Sequence, residues 1–361
     1  MTKPLALIMA GGTGGHIFPA QAVAKALHAE GWEIAWLGTA DRMEARLVPS
    51  FGWAFHAIQV AGLRGKGWRS IVHAPLMVWR AIRQARQVVQ QVKPSLVIGF
   101  GGYASGPGGV AAWLAGVPLL IHEQNAVAGS TNKLLARLAK QVLVAFPAAF
   151  ANSAKQQVVG NPVRAELIAC RQPRTSEPPL NILVVGGSLG AKALNEQLPE
   201  QFSMLAAQGE IAIWHQTGEA MLAQVQAAYQ PLQAKGVSVQ VSAFIDSMLA
   251  AYRWADVVIC RAGALTVSEV AAVGVAAIFV PLPSAIDDHQ TANARSLTSA
   301  DAGWLLPQSE LIKTGIVPLL TPCLTDKSVL QQFAQNARLQ ARDNATTAVV
   351  AVCRQVTGQA V

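Results

Sequence analysis

The sequence predicts an α/β protein built from two doubly wound, Rossmann-like parallel-sheet domains. Three observations carry that expectation. The chain has 361 residues, room for two domains at roughly 100–200 residues each. Short apolar runs alternate with helical patterns, as in βαβ units. One pattern, strand–Gly-Gly-Thr/Ser–Gly–helix, opens both halves. It occurs as Gly11-Gly12-Thr13-Gly14-Gly15 after Leu5 to Ala10, and as Gly186-Gly187-Ser188-Leu189-Gly190 after Ile182 to Val185. The repetition predicts two domains facing each other across a cleft.

In chain order, Leu5 to Ala10 reads as a buried strand, Gly11 to His16 as a turn, Ile17 to Glu30 as a helix and Glu33 to Leu37 as the next strand. Glycines in such a turn let backbone N–H groups approach a phosphate. A nicotinamide-dinucleotide fingerprint competes for the same residues, but Ile17 stands where its third glycine belongs. Lys93 to Phe100 ends another strand and runs into a second glycine cluster, Gly101 to Gly109. Pro118 to Ile121 is again a strand, closing on His122-Glu123-Gln124-Asn125. Three such clusters are expected at one edge of the first sheet, where open α/β sheets bind ligands. Residues 151–181 are rich in loop formers, and a boundary is placed near 162, between domains of 1–162 and 163–341. Beyond it Ile211 to Trp214, Val237 to Val241 and Val257 to Cys260 are strand candidates, and Val329 to Val356 is mostly helical.

The most informative stretch is Arg261-Ala262-Gly263-Ala264-Leu265-Thr266-Val267-Ser268-Glu269, which leaves the strand ending at Cys260 and opens a helix. A helix N-terminus offers free N–H groups and a partial positive charge to a phosphate. Glu269, about a turn in, offers two acceptor oxygens to a ribose diol. A capped helix with a solvated glutamate is the plainer reading. After the next strand end, Phe279 to Pro283, the polar segment 287–294 carries Gln290, whose amide can bond sugar hydroxyls in both directions.

Composition narrows the class. Hydrophobic residues make up 52% and charged residues 13%, which argues against disorder. The 28 Lys and Arg exceed the 20 Asp and Glu, and a formal charge of +8 favours an anionic partner. A nucleic-acid binder would fit the charge alone, but no basic–aromatic motif of the known modules occurs, so no nucleic acid is expected. Cys170, Cys260, Cys323 and Cys353 lack metal-ligand spacing, which points to a reduced, cytoplasmic protein. The apolar run at Leu5 is too short for a signal segment, and no stretch reaches the length of a membrane span.

Gly11-Gly12-Thr13-Gly14-Gly15-His16, Gly101 to Gly108, His122-Glu123-Gln124-Asn125, Gly160-Asn161-Pro162-Val163-Arg164, Gly186 to Ala191, Arg261 to Glu269 and Asp288-His289-Gln290 occur in the order found in the MurG family, glycosyltransferase family 28 of the GT-B superfamily, which the chain resembles from its first strand to at least Asn293. That family converts lipid I to lipid II in peptidoglycan synthesis. The resemblance implies transfer of N-acetylglucosamine from UDP-N-acetylglucosamine, with inversion, to undecaprenyl-diphosphate-linked lipid I. The donor is held by the C-terminal domain and the acceptor by the N-terminal one. A final helix, about 342–361, crosses back onto the first domain. It also implies donor contacts at Thr13, Gly14, Gly15, Asn125, Arg164, Ser188, Ile245, Arg261, Gln290 and the run Ala264, Leu265, Thr266, Val267, Ser268 and Glu269. The stretch Ser284-Ala285-Ile286 lacks a histidine that some members carry, which leaves its contacts open.

A single displacement needs a base near the acceptor hydroxyl and stabilisation of the departing UDP. His16, just past a glycine turn, is the first candidate base, histidine being the side chain type suited to proton transfer near neutral pH, and Glu123 the second. A loop-capping role is the plainer reading of His16. Tyr103, Ser105 and Asn132 are the acceptor-side candidates. No Asp-x-Asp occurs, Asp287 and Asp288 being adjacent, so neither a metal ligand nor a cofactor is expected. A UDP-N-acetylglucosamine 2-epimerase would share the donor site. Trp68, Val72, Leu76, Trp79 and Ile82 form an apolar stripe at helical spacing, flanked by Arg69, Arg80 and Arg83 and preceded by Arg64 and Lys66. The stripe reads either as the buried face of an amphipathic helix or, with Trp113, as contact with an anionic membrane surface at the cytoplasmic face of the inner membrane.

Overall fold

The apolar runs become the inner strands of two all-parallel sheets. The computed structural model describes residues 3–60, 68–150, 154–170, 176–187 and 189–359, without the side chains of 68–74 and 286. The first sheet comprises β1 (Leu5–Met9), β2 (Glu33–Thr39), β3 (Ala54–Ile58), β4 (Leu96–Gly99), β5 (Leu119–Glu123), β6 (Gln141–Val144) and β7 (Gln156–Val158), in the order β3-β2-β1-β4-β5-β6-β7. The second comprises β8 (Leu180–Val185), β9 (Ile211–Gln216), β10 (Ser238–Ser242), β11 (Val257–Cys260), β12 (Ala276–Phe279) and β13 (Trp304–Leu305), in the order β10-β9-β8-β11-β12-β13.

Both orders reverse direction at one point, between β1 and β4 in the first sheet and between β8 and β11 in the second. At such a switch point the connections leave toward opposite sides and open a crevice beyond the strands' C-terminal ends. The residues found there are Gly11–Gly15 after β1, Gly101–Gly102 after β4, Gly186–Gly190 after β8 and Arg261–Gly263 after β11. The topology thus assigns the glycine clusters to the crevices.

Burial follows the same logic. β1, β4, β5, β11 and β12 are covered on both faces and read as continuous apolar runs rather than as alternations. One face of the first sheet packs Ile8, Trp36, Ile98 and Leu120 beneath helix Gly14–Ala29, and the other packs Leu7, Leu37, Val97 and Ile121 against Ala85 and Val89 of helix Trp68–Val92. The second sheet has its own core around Ile182, Val184, Phe202, Tyr229 and Ile259.

The chain divides into Met1–Arg164 with Arg342–Val361, and Ala165–Ala341. The last helix, Ala345–Thr357, buries Val349, Val350, Val352 and Cys353 in the first unit's core, and its Arg354 pairs with Glu30 at the end of helix Gly14–Ala29. In the second unit, Lys327 donates to the Asp256 carboxylate at 2.8 Å and to the carbonyls of Glu177 and Pro179, while Asp256 also accepts from the backbone N–H of Asn181. Lys327 and Asp256 are 4% and 5% exposed, so this cluster is a buried pin for the start of β8.

Candidate active site

In the second unit a pocket of about 560 Å³ lies at the switch point, bordered by Gly187, Gly190, Lys192, Arg261, Thr266 and Gln290 among others. Its size is that of a small-molecule site. Two local structures shape it. Gly190 has φ +74° and presses on the Thr217 carbonyl so closely that a Cβ would fall 1.8 Å from the oxygen, so only glycine closes this turn. Helix Ala264–Val273 starts at Gly263, whose carbonyl accepts the first intrahelical bond, from Val267.

Arg261 spans three backbone and side-chain acceptors. Nη1 donates to the carbonyls of Val280 and Pro281, both at 3.1 Å, and Nη2 to Oε1 of Gln308 at 2.8 Å. Burial lowers its pKa from the ordinary value. Arg261 therefore ties the ends of β11 and β12 to helix Gln308–Lys313 while keeping its charge at the pocket. Gln290 accepts from the N–H of Leu282 at 2.9 Å through Oε1, which orients its amide at the pocket wall. The loop before it is bent, with Asp287 and Asp288 both at positive φ.

Glu269 is the sixth residue of its helix, further in than the sequence suggested, and is 6% exposed. It accepts from the phenol of Tyr252 at 3.1 Å, so the solvated-glutamate reading does not fit it. Leu265, Thr266 and Ser268 are half-buried, whereas the side chains of Ala264 and Val267 are buried. Ile245 is 4% exposed, beside the exposed Phe244. Ser188 lies outside the described residues. Lys192 was readable as the basic residue opening the helix after a glycine turn. Gln308 and Tyr252 carry no sequence signal, since only the fold brings them to the site.

In the first unit, Thr13 is exposed and caps helix Gly14–Ala29 by backbone, with His16 and Ile17 the first donors to its carbonyl. The N–H groups of Gly14 and Gly15 precede the helical ladder. His16 Nδ1 lies 3.0 Å from the Gly11 carbonyl oxygen. A carbonyl only accepts, so Nδ1 carries the hydrogen and the neutral ring keeps its lone pair on Nε2, the nitrogen a base would use. The ring packs on Gly101, and Gly102 lies so close to Gly11 that a Cβ would meet the Gly11 oxygen at 2.6 Å. The two glycine turns pack backbone to backbone.

Three predicted site residues are buried. Glu123 is inside β5, 2% exposed, and its carboxylate accepts from the N–H and side-chain amide of Asn125, the N–H of Gly129 and the amide of Asn132, at 2.9–3.2 Å. A carboxylate so occupied organises the loop after β5. Asn132, 4% exposed, donates its amide to Glu123 at 2.9 Å. Ser105, fully buried, donates to the Gly101 carbonyl at 2.7 Å and so holds the second glycine turn. Tyr103 is 48% exposed, with the Arg42 guanidinium over its ring. Asn125 and Arg164 are half-buried. His122, predicted at the strand-end cluster, is a fully buried part of β5 that bonds the Gly160 carbonyl, and burial lowers its pKa to about 4.

From helix Trp68–Val92 the core contains Ala81, Ala85 and Val89, and of the stripe residues whose side chains are described none is buried. Leu76 and Trp79 are exposed, Arg83 stacks over Trp79, and Ile82 is half-buried. The side chains of Trp68, Arg69 and Val72 lie outside the described residues, as do Arg64 and Lys66. Trp113 and Leu114 are also exposed, on the adjacent helix Ser105–Leu114. Among the described residues no helix is long and apolar enough to cross a membrane.

Glycine turns at the switch points of open parallel sheets are where such folds bind nucleotides, and comparison with known proteins identifies the family. Residues 6–144 match the glycosyltransferase family 28 N-terminal domain and residues 181–348 its C-terminal domain. The chain belongs to glycosyltransferase family 28. Its relatives in this family include the UDP-N-acetylglucosamine--N-acetylmuramyl-(pentapeptide) pyrophosphoryl-undecaprenol N-acetylglucosamine transferase of Aeromonas hydrophila, 53% identical over 99% of both chains. The protein of the same name in Shewanella oneidensis is 54% identical over 96% of both chains. The crystal structure of Acinetobacter baumannii MurG, 42% identical, aligns with a TM-score of 0.84 over 98% of this chain and 100% of that one. Family 28 membership and the two parallel sheets together make the fold GT-B.

Proposed function

We infer that the chain transfers N-acetylglucosamine from UDP-N-acetylglucosamine to the muramoyl-pentapeptide sugar of undecaprenyl-diphosphate-linked lipid I, yielding lipid II and UDP. The observation that carries this function is end-to-end identity above 50% with transferases so named.

The site assignments go further, and geometry supports them. The second-unit pocket holds the donor diphosphate near the N-terminus of helix Ala264–Val273, with Arg261 and Lys192 supplying positive charge and Gln290 a sugar contact. Glu269 takes the ribose hydroxyls, and the backbone at Ile245 meets the uracil. Helix N–H groups and cations stabilise charge on the departing UDP. In the first unit, Thr13, Gly14 and Gly15 meet the donor, His16 Nε2 removes the acceptor hydroxyl proton, and Tyr103 lines the acceptor. The exposed Leu76, Trp79 and Trp113, with Arg80 and Arg83, rest the first unit on an anionic leaflet at the cytoplasmic face of the inner membrane.

The test is radiolabel transfer from UDP-N-acetylglucosamine to a lipid I analogue, with and without chelator. Labelled product at undiminished rate in chelator is expected. Release of UDP and N-acetylmannosamine without acceptor would instead identify a 2-epimerase.

A further inference from the structure

Glu44 has no part in any motif, yet it is 1% exposed and lies directly beneath the first glycine turn. It is the second residue of helix Met43–Ser50. Oε2 accepts from the N–H of Gly12 at 2.9 Å. Oε1 accepts from the N–H of Thr39 at 3.1 Å and its hydroxyl at 2.7 Å. Two backbone N–H groups and a hydroxyl thus converge on the carboxyl group, with both of its oxygens accepting. The slot is cut to this side chain. A Cβ on Gly11 would fall 2.3 Å from Oε1, and one on Gly38 would fall 2.7 Å from its Cγ. The residue joined to Gly12 is Gly11, whose carbonyl receives Nδ1 of His16.

We propose that Glu44 is a positioning residue for transfer: by anchoring the Gly11–Gly12 turn it aims the Gly11 carbonyl at His16, holds the hydrogen on Nδ1 and leaves Nε2 as the basic nitrogen. The proposal rests on the reading of His16 as the base. Bonds to a buried carboxylate are stronger than neutral ones, so the turn keeps its place without help from substrate. In Glu44→Gln one of the two acceptor oxygens becomes a donor NH2, so the side chain cannot accept from both Gly12 and Thr39, and the anchor of the turn is weakened at nearly unchanged volume.

The test uses the full chain labelled with 15N at histidine, the His16 signals being those absent from His16→Gln. Wild type is expected to show His16 as a single Nδ1–H tautomer. Glu44→Gln is expected to show averaged tautomer shifts and a kcat lower by about 10²-fold, the cost of a roughly 1 Å misplacement, with donor KM changed much less. Glu44→Asp, which keeps the acceptors one methylene short, recovers part of kcat. A folded Glu44→Gln protein with the wild-type tautomer and kcat overturns the proposal. Should Glu44→Gln fail to fold, Thr39→Val removes one bond and is expected to move both readouts in the same direction; no movement overturns it. If Glu44→Gln scrambles the tautomer but His16→Gln transfers at the wild-type rate, Glu44 still positions the ring and it is the base assignment that fails.

Discussion

Tyr252, fully buried, donates its phenolic hydrogen to Oε2 of Glu269 at 3.1 Å. The bond sets the orientation of the carboxylate assigned to the ribose. Glu269→Ala is expected to weaken UDP-N-acetylglucosamine binding by about 1.5–3 kcal/mol, the size of a charge-assisted hydrogen bond. Tyr252→Phe is expected to weaken it less, since the carboxylate remains. Calorimetry on folded variants with wild-type affinity would remove Glu269 from the donor site.

His16→Ala should lower kcat by about 10²–10⁴ with little change in donor affinity, as expected for loss of a general base. A near-wild-type kcat would leave His16 as a loop residue.

The exposed stripe gives a test that unfolding does not confuse. Because Leu76 and Trp79 stand in solvent, replacing both with Ser, and Arg80 and Arg83 with Glu, should preserve the fold. Sedimentation with anionic vesicles should fall, each basic residue being worth about 1 kcal/mol at such a surface. Activity on a short-chain soluble acceptor should survive. Undiminished vesicle binding would place the contact elsewhere.

Breaking the Lys327–Asp256 pair exposes the cost of a buried charge. Lys327→Met leaves the Asp256 carboxylate with the N–H of Asn181 alone and should destabilise the second unit by about 3–5 kcal/mol. Urea unfolding with an unchanged midpoint for that unit would show the pin to be dispensable.

Two buried histidines set an acid limit. Burial lowers the pKa of His122 to about 4 and that of His215, bonded to Tyr229 and Asn195, to about 3, from 6.5 in the unfolded chain. Between those values the unfolded state binds more protons. The stability is therefore complete above pH 6.5 and lost as pH falls toward 4 and 3, at up to about 1.4 kcal/mol per pH unit for each group. Thermal unfolding should fall steeply below pH 6, and His215→Gln should flatten the curve; identical curves would refute the assignment.

The inner strands and their glycine turns were legible because parallel strands covered on both faces leave continuous apolar runs, and a phosphate-binding turn needs glycine at fixed offsets. β3, β6, β7 and β13 were not legible. They are short, and β3 and β7 are only partly buried, so neither run length nor alternation marks them. The sequence by itself determined the fold class, the family, the crevice-lining turns and His16 as a candidate. Only the tertiary structure decided the roles of polar side chains near those turns. Glu123, Asn132 and Ser105 read as substrate contacts but spend their hydrogen bonds on the protein. Glu44 read as nothing and carries the first turn. The apolar stripe of helix Trp68–Val92 read by pattern first as a buried face, whereas the packing of Ala81, Ala85 and Val89 turns Leu76 and Trp79 outward. The physical reason is common to all of these. A residue's type states which bonds it can make, and a local pattern states which element it joins. Which partner it meets depends on groups brought beside it from elsewhere in the chain, as Glu44 meets Gly12 across 32 positions and Lys327 meets Asp256 across 71.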